Sequence, residues 1–140
     1  MARLSGDGKL EVALVGRGAA TLASRAGGSI LLAGGRLCVS TGPEAVRVAT
    51  PRGQVTVTPS ATAEIEVQGL DVCVAAYVGR TTLSAGDASP LVIIEPLRGW
   101  ASGRRLALDP GRRADVAGLL RGGPPPAGSA CAPSLGPRAT

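Results

Sequence analysis

From Lys9 to about Leu108 this chain is cut into short apolar runs, each followed within a few residues by Gly, Pro or a polar turn. An amphipathic helix needs about ten or more uninterrupted residues, so this punctuation nearly excludes long helices and points to strands. The runs are Leu10 to Val15, Ala19 to Ser24, Ser29 to Ala33, Arg36 to Ser40, Ala45 to Thr50 and Gln54 to Thr58. They continue with Ala63 to Val67, Val72 to Val78, Thr81 to Ser84, Leu91 to Glu95 and Arg105 to Leu108. About eleven short strands at a spacing of roughly 8–12 residues predict an all-β fold, either a compact β-solenoid or a jelly-roll-like sandwich.

A period of two is plainest in mid-chain, where Val46 and Val48 flank Arg47, Val55 and Val57 flank Thr56, and Ile65 and Val67 flank Glu66. Such strands keep one face dry and one wet. Leu91 to Ile94 is apolar without a break, which fits burial on both faces or an interface strand. Gly16-Arg17-Gly18, Gly27-Gly28, Gly34-Gly35 and Gly42-Pro43 read as turns. Neither Gly16-Arg17-Gly18 nor Gly34-Gly35-Arg36 opens a helix or precedes Gly-Lys-Ser/Thr, so neither is a phosphate cradle.

The 140 residues suit one domain. With no Phe, one Trp and one Tyr, its core must be built from Val, Leu, Ile and Ala. Each of these contributes about 1.5–3 kcal/mol when a large one is fully buried, so many modest contacts replace a few large ones. Residues 1–108 are read as the β domain. After Asp109 the pattern changes, and residues 109–120 can make one or two helical turns with Val116, Leu119 and Leu120 on one face. Residues 121–140 are a Pro/Gly-rich tail with little to bury, expected to be flexible.

Residues 1–97 hold eight basic and eight acidic side chains, whereas residues 98–140 hold seven Arg against Asp109 and Asp115, so the net +5 belongs to the C-terminal part. Arg98, Arg104, Arg105, Arg112, Arg113 and Arg121 could meet phosphates or an acidic partner. A reader of single-stranded nucleic acid wants aromatic stacking platforms, however, and the segment offers only Trp100. Solubility or a self-contact is the plainer explanation.

Without His there is no Ser-His or Cys-His pair and no imidazole base, so the commonest catalytic constellations are excluded and no catalytic residue is assigned. Glu64 and Glu66 are the only close pair of carboxylates, and a solvated strand face is the plainer reading of them. Cys38, Cys73 and Cys131 are odd in number and lack metal-ligand spacing. Cys38 and Cys73 fall in strand-like runs, where a thiol packs as a small hydrophobe, and a reducing compartment or a cut from a longer protein fits them best. No metal or cofactor is implied. No signal-peptide stretch or membrane-spanning run is present, so the expectation is a cytoplasmic chain, or a periplasmic one if it is a piece of a longer regulator. The candidate contact strip is Leu91, Val92, Ile93 and Ile94 together with Trp100, because interfaces concentrate energy in buried large side chains.

The middle of the chain resembles the FecR domain. The resemblance rests on Gly35-Arg36-Leu37-Cys38-Val39-Ser40, on Val46-Arg47-Val48-Ala49-Thr50-Pro51-Arg52-Gly53 and on Val55-Thr56-Val57. It continues through Ala63-Glu64-Ile65-Glu66-Val67 and from Val72-Cys73-Val74 to Val78-Gly79-Arg80, covering about residues 28–108. It implies a solenoid-like or jelly-roll-like β domain without catalysis, used for sensing or protein contact at the cell envelope. In iron-responsive systems such domains pass a signal from an outer-membrane transporter to a sigma factor. Two departures stand out. Pro59-Ser60-Ala61-Thr62-Ala63 replaces the Gly-Thr-x-Phe segment common after the Thr-Pro turn, and the membrane helix and sigma-binding part of full regulators have no match here.

The function expected is therefore a protein-interaction or self-assembly module, homo-oligomeric in the second case. Two alternatives remain open: a filament-forming β-helix subunit of the bactofilin type, and a basic C-terminal segment that binds nucleic acid or an anionic surface.

Overall fold

In the computed structural model the described residues are 2–5, 11–23, 29–68, 71–84, 90–94, 97–100, 105–107 and the three positions 116, 118 and 120. Their strands are β1 (Ala2–Ser5), β2 (Glu11–Ala23), β3 (Ser29–Ser40), β4 (Val46–Thr50), β5 (Gly53–Val57) and β6 (Thr62–Gln68). After them come β7 (Asp71–Val78), β8 (Arg80–Ser84), β9 (Leu91–Ile94), β10 (Leu97–Trp100) and β11 (Arg105–Ala107). Gly27-Gly28 and the tail 121–140 lie outside the described residues.

Two expected turns are instead strand interior. Gly16-Arg17-Gly18 lies within β2, where the register with β3 shifts between Val15 and Ala19. The extra residues are absorbed as a bulge, which kinks a strand without ending it. Gly34-Gly35 lies within β3. Gly35 has φ 95, a left-handed conformation that glycine adopts freely. Local composition marks both places as breaks, but a long neighbouring strand holds the chain extended through them.

The bend in β3 organises the domain. Residues 29–31 pair in parallel with β4, and residues 35–40 pair antiparallel with β6. The hydrogen-bonded order β11-β10-β7-β6-β3-β4-β5-β8-β9 is thereby folded into two layers. Successive hairpins alternate between them: β4–β5 and β8–β9 in one, β6–β7 and β10–β11 in the other. Among the described strands β3–β4 is the only parallel pair, so the architecture is a sandwich of winding hairpins rather than a stack of parallel coils.

Inward-facing positions line up in rows across the layers. Ile30, Val48, Val55, Leu83 and Leu91 are successive partners in one layer, as are Val46, Val57, Thr81 and Ile93. In the other, Leu37, Ile65 and Val74 form one row and Val39, Ala63 and Ala76 another. The apolar members of both layers form one buried cluster, as period-two patterning demands.

One corner is held by Thr41. Its Oγ1 donates to the Thr58 carbonyl at 2.6 Å and accepts from the Ala61 amide at 2.9 Å, while its own amide donates to the Ala61 carbonyl at 2.8 Å. The Thr58 hydroxyl donates to the Arg80 carbonyl at 2.7 Å, tying in the start of β8. Chain crosses here from β7 to β8 through the single residue Gly79, at φ 75, where a Cβ would stand 3.0 Å from the Ala61 Cβ.

Candidate functional site

The two layers differ in their outward faces. On the layer that contains β6, β7 and β10, register brings Cys38, Glu64 and Ala75 side by side across β3, β6 and β7. The next row is Arg36, Glu66, Cys73 and Trp100. Cys38, Glu64, Cys73, Ala75 and Tyr77 are all buried. The cover includes Val116 and Leu120, which have helical backbone and pack with Cys38, Ala75 and Tyr77.

Glu64 therefore corrects the reading of a solvated strand face, for it has no exposed surface at all. Its Oε2 is 3.2 Å from Arg36 Nε, and its Oε1 accepts a hydrogen bond from the Tyr77 hydroxyl at 2.7 Å. A buried carboxylate is tolerated only when it is paired and hydrogen-bonded, and here both oxygens are held. The cluster braces β3, β6 and β7 from one point. Alternation alone could not reveal this, because the segment that shields Glu64 lies about fifty residues further along the chain.

Cys73 is a second correction, being disulfide-bonded rather than a free thiol. Cys38 is buried and outside any disulfide, as its apolar setting suggested. Among the described residues no group of three or more His, Cys, Asp or Glu side chains is placed to hold a metal ion. No helix among them is long and apolar enough to cross a membrane.

On the layer that contains β4, β5, β8 and β9, the outward row Leu31, Ala49, Gln54 and Ser84 is exposed throughout. The neighbouring row runs Arg47, Thr56, Thr82 and Val92, and Arg80 stands opposite Ile94. The expected contact strip is thus divided. Ile93 belongs to the core and Leu91 is partly buried, whereas Val92 and Ile94 are 38% and 53% exposed on the outward face. Trp100 is on β10 and pairs with Cys73 of β7 in the other layer, so the strip's five residues are not brought together on one strand pair. Arg98 is on β10 and Arg105 on β11, while Arg104, Arg112, Arg113 and Arg121 lie outside the described residues.

Comparison with known proteins bears on the fold. No protein-family model matches the chain, and no curated protein does. Two crystal structures from Parabacteroides distasonis ATCC 8503, each described as a "putative anti-sigma factor", are similar to it with TM-scores of 0.66 and 0.62. In both cases the sequences are 12% identical and the match covers 86% of this chain. The chain spans 60% of the length of these structures. At that identity the likeness is one of fold: the all-β frame described above is shared with these proteins.

Proposed function

We propose that the chain is a FecR-like β domain with a regulatory, non-catalytic role, and that it acts by contact with another protein through the edge strand β9. The observation that carries this reading is the exposure of Val92 and Ile94 beside a backbone edge that pairs with no further strand among the described residues. Proteins usually blunt such an edge with charge, Pro or a covering segment, because it invites pairing. An edge that keeps two large apolar side chains outside is suited to strand addition, in which main-chain hydrogen bonds supply affinity and alternate side chains supply specificity. The occupant is an extended segment, from a different protein or from a second copy of this chain.

The shared fold with structures named for sigma-factor control supports a signalling context. Sigma-factor contact is not assigned to these residues, because two-fifths of each neighbour's length has no counterpart here. Filament growth by coil stacking is disfavoured by the antiparallel pairing, since end-to-end β-helices propagate through parallel coils.

Site-specific photo-crosslinking tests the proposal. A photoreactive side chain at position 92 or 94 should give a discrete protein adduct, and one at exposed Arg52 in the β4–β5 turn should not. Light scattering then tells whether the partner is a second copy. Absence of any adduct at 92 and 94, in a chain that stays monomeric at high micromolar concentration, would sink the reading.

A further inference from the structure

We infer that the strand added at β9 comes from an acidic segment of a different protein, with a carboxylate at the outward position beside Ile94, within reach of Arg80. The inference rests on the β9 reading and deepens it by naming the partner's chemistry. What points to it is the charge of the layer that ends in β9. Strands β4, β5, β8 and β9 carry two charged side chains, Arg47 and Arg80, both exposed, and no carboxylate. Residues 29–31 of β3, which complete this layer, add none.

Register sets the reach. Arg80 stands directly opposite Ile94 and Thr82 opposite Val92, so these pairs end the outward rows at the sheet edge. A strand added to β9 continues the rows about 5 Å beyond Ile94, two strand spacings from β8. Arginine lays its methylene stem along apolar neighbours while its head group stays in water, so the Arg80 guanidinium can pass over Ile94 to the added strand. An acidic side chain there is attracted and a basic one repelled. Arg47 lies in the adjoining row with Thr56, Thr82 and Val92, and its charge helps to steer an acidic segment to this face. The partner's inward positions continue the rows of Leu91 and Ile93 and are apolar.

A second copy of this chain does not fit that description. Its own β9 is Leu91-Val92-Ile93-Ile94, which brings no carboxylate, and the chain carries a net charge of +5. An exposed ion pair changes affinity by only about two- to five-fold. Main-chain hydrogen bonds and the apolar pair Val92 and Ile94 therefore hold the segment, and Arg80 selects it.

Fluorescence anisotropy on the full chain tests this with a labelled synthetic peptide, Glu-Val-Val-Val-Glu between Gly-Ser flanks, which offers a carboxylate in either strand direction. The Glu peptide should bind about two- to five-fold tighter than its Gln counterpart, and the Lys counterpart weakest of the three. Arg80→Glu should invert that order. Arg52→Glu, the same change of charge in the β4–β5 turn, should leave it as it is. A Glu peptide methylated on its backbone amides should not bind. If the Glu and Gln peptides bind alike and Arg80→Glu changes nothing, while methylation still abolishes binding, the edge reading stands and the acidic partner is overturned. If the methylated peptide binds as well as its parent, or none of the peptides binds, the β9 reading itself fails and this inference with it.

Discussion

Strands β7 and β9 are both apolar without polar alternation, yet they end in opposite situations. From Val72 to Tyr77 every side chain of β7 is buried, the even positions in the sandwich, and Ala75 and Tyr77 beneath Val116 and Leu120. In β9 only Ile93 is fully buried, and Val92 and Ile94 face outward. Among the described residues the same composition is thus structural in one place and surface in the other, and the difference is whether distant chain covers it. Buried strands of parallel sheets read in the same continuous way, so an unbroken apolar run signals two buried faces only when a second cover exists.

The sharpest way to break this contrast is to disturb what the cover protects. Glu64→Ala should destabilise the domain by about 3–5 kcal/mol, because it leaves Arg36 and the Tyr77 hydroxyl without their buried partner. Replacing all three polar groups with apolar ones of similar volume, as in Arg36→Met, Glu64→Leu and Tyr77→Phe together, should be neutral or stabilising by about 1–4 kcal/mol. Urea unfolding followed by Trp100 fluorescence measures both. If the single and triple variants lose equal stability, the cluster acts by packing alone and not by charge pairing.

A milder test removes part of the cover itself. Leu120 is 7% exposed and joins Val116 over Ala75 and Tyr77, so Leu120→Ala should cost about 2 kcal/mol, the low end for a buried leucine whose site can partly collapse. The equivalent truncation on β9, Ile94→Ala, should cost far less. Equal losses at the two positions would mean that the C-terminal segment is not a working part of the core.

Much of the sandwich is legible in the sequence, and the limits have physical causes. Alternation about Arg47, Thr56 and Glu66 identifies the inward rows, because a period of two admits one register once a face is dry. The glycine groups at 16–18 and 34–35 mislead because glycine serves a bulge or bend as readily as a turn, and only the pairing of β2 with β3 decides. Strand β10 is hidden for a related reason: Leu97-Arg98-Gly99-Trp100 has no alternation of its own and is drawn into the sheet by β7 and β11. Burial of Glu64 is invisible because its partners Arg36 and Tyr77 and the covering Val116 and Leu120 come from three separate parts of the chain. Division of the strip Leu91 to Ile94 follows from pleat alone, since adjacent side chains of any strand point to opposite faces.

Within the less covered layer, one inward position carries a flaw that chemistry can remove. Thr81 lies between Val57 and Ile93 in the buried row, and its Oγ1 has no hydrogen-bond partner among the described residues. An unsatisfied buried hydroxyl forfeits its water bonds without compensation, so Thr81→Val should raise stability by about 1 kcal/mol at nearly constant shape. A midpoint that falls instead would show that the hydroxyl is bonded in solution.

The smallest effect on stability is expected at the surface of β9, and that smallness is what separates an interaction strand from a structural one. Val92→Lys and Ile94→Lys leave the inward residues Leu91 and Ile93 in place and introduce charge only on the outward face. Surface substitutions of this kind usually change stability by less than about 0.5 kcal/mol. A lysine on an edge strand also opposes pairing with a further strand, so the same variants should abolish the adduct formed at this edge. Loss of the adduct with an unchanged unfolding midpoint assigns the apolar pair to recognition. Loss of both would place Val92 and Ile94 in the fold itself, and β9 would then be a structural strand as β7 is.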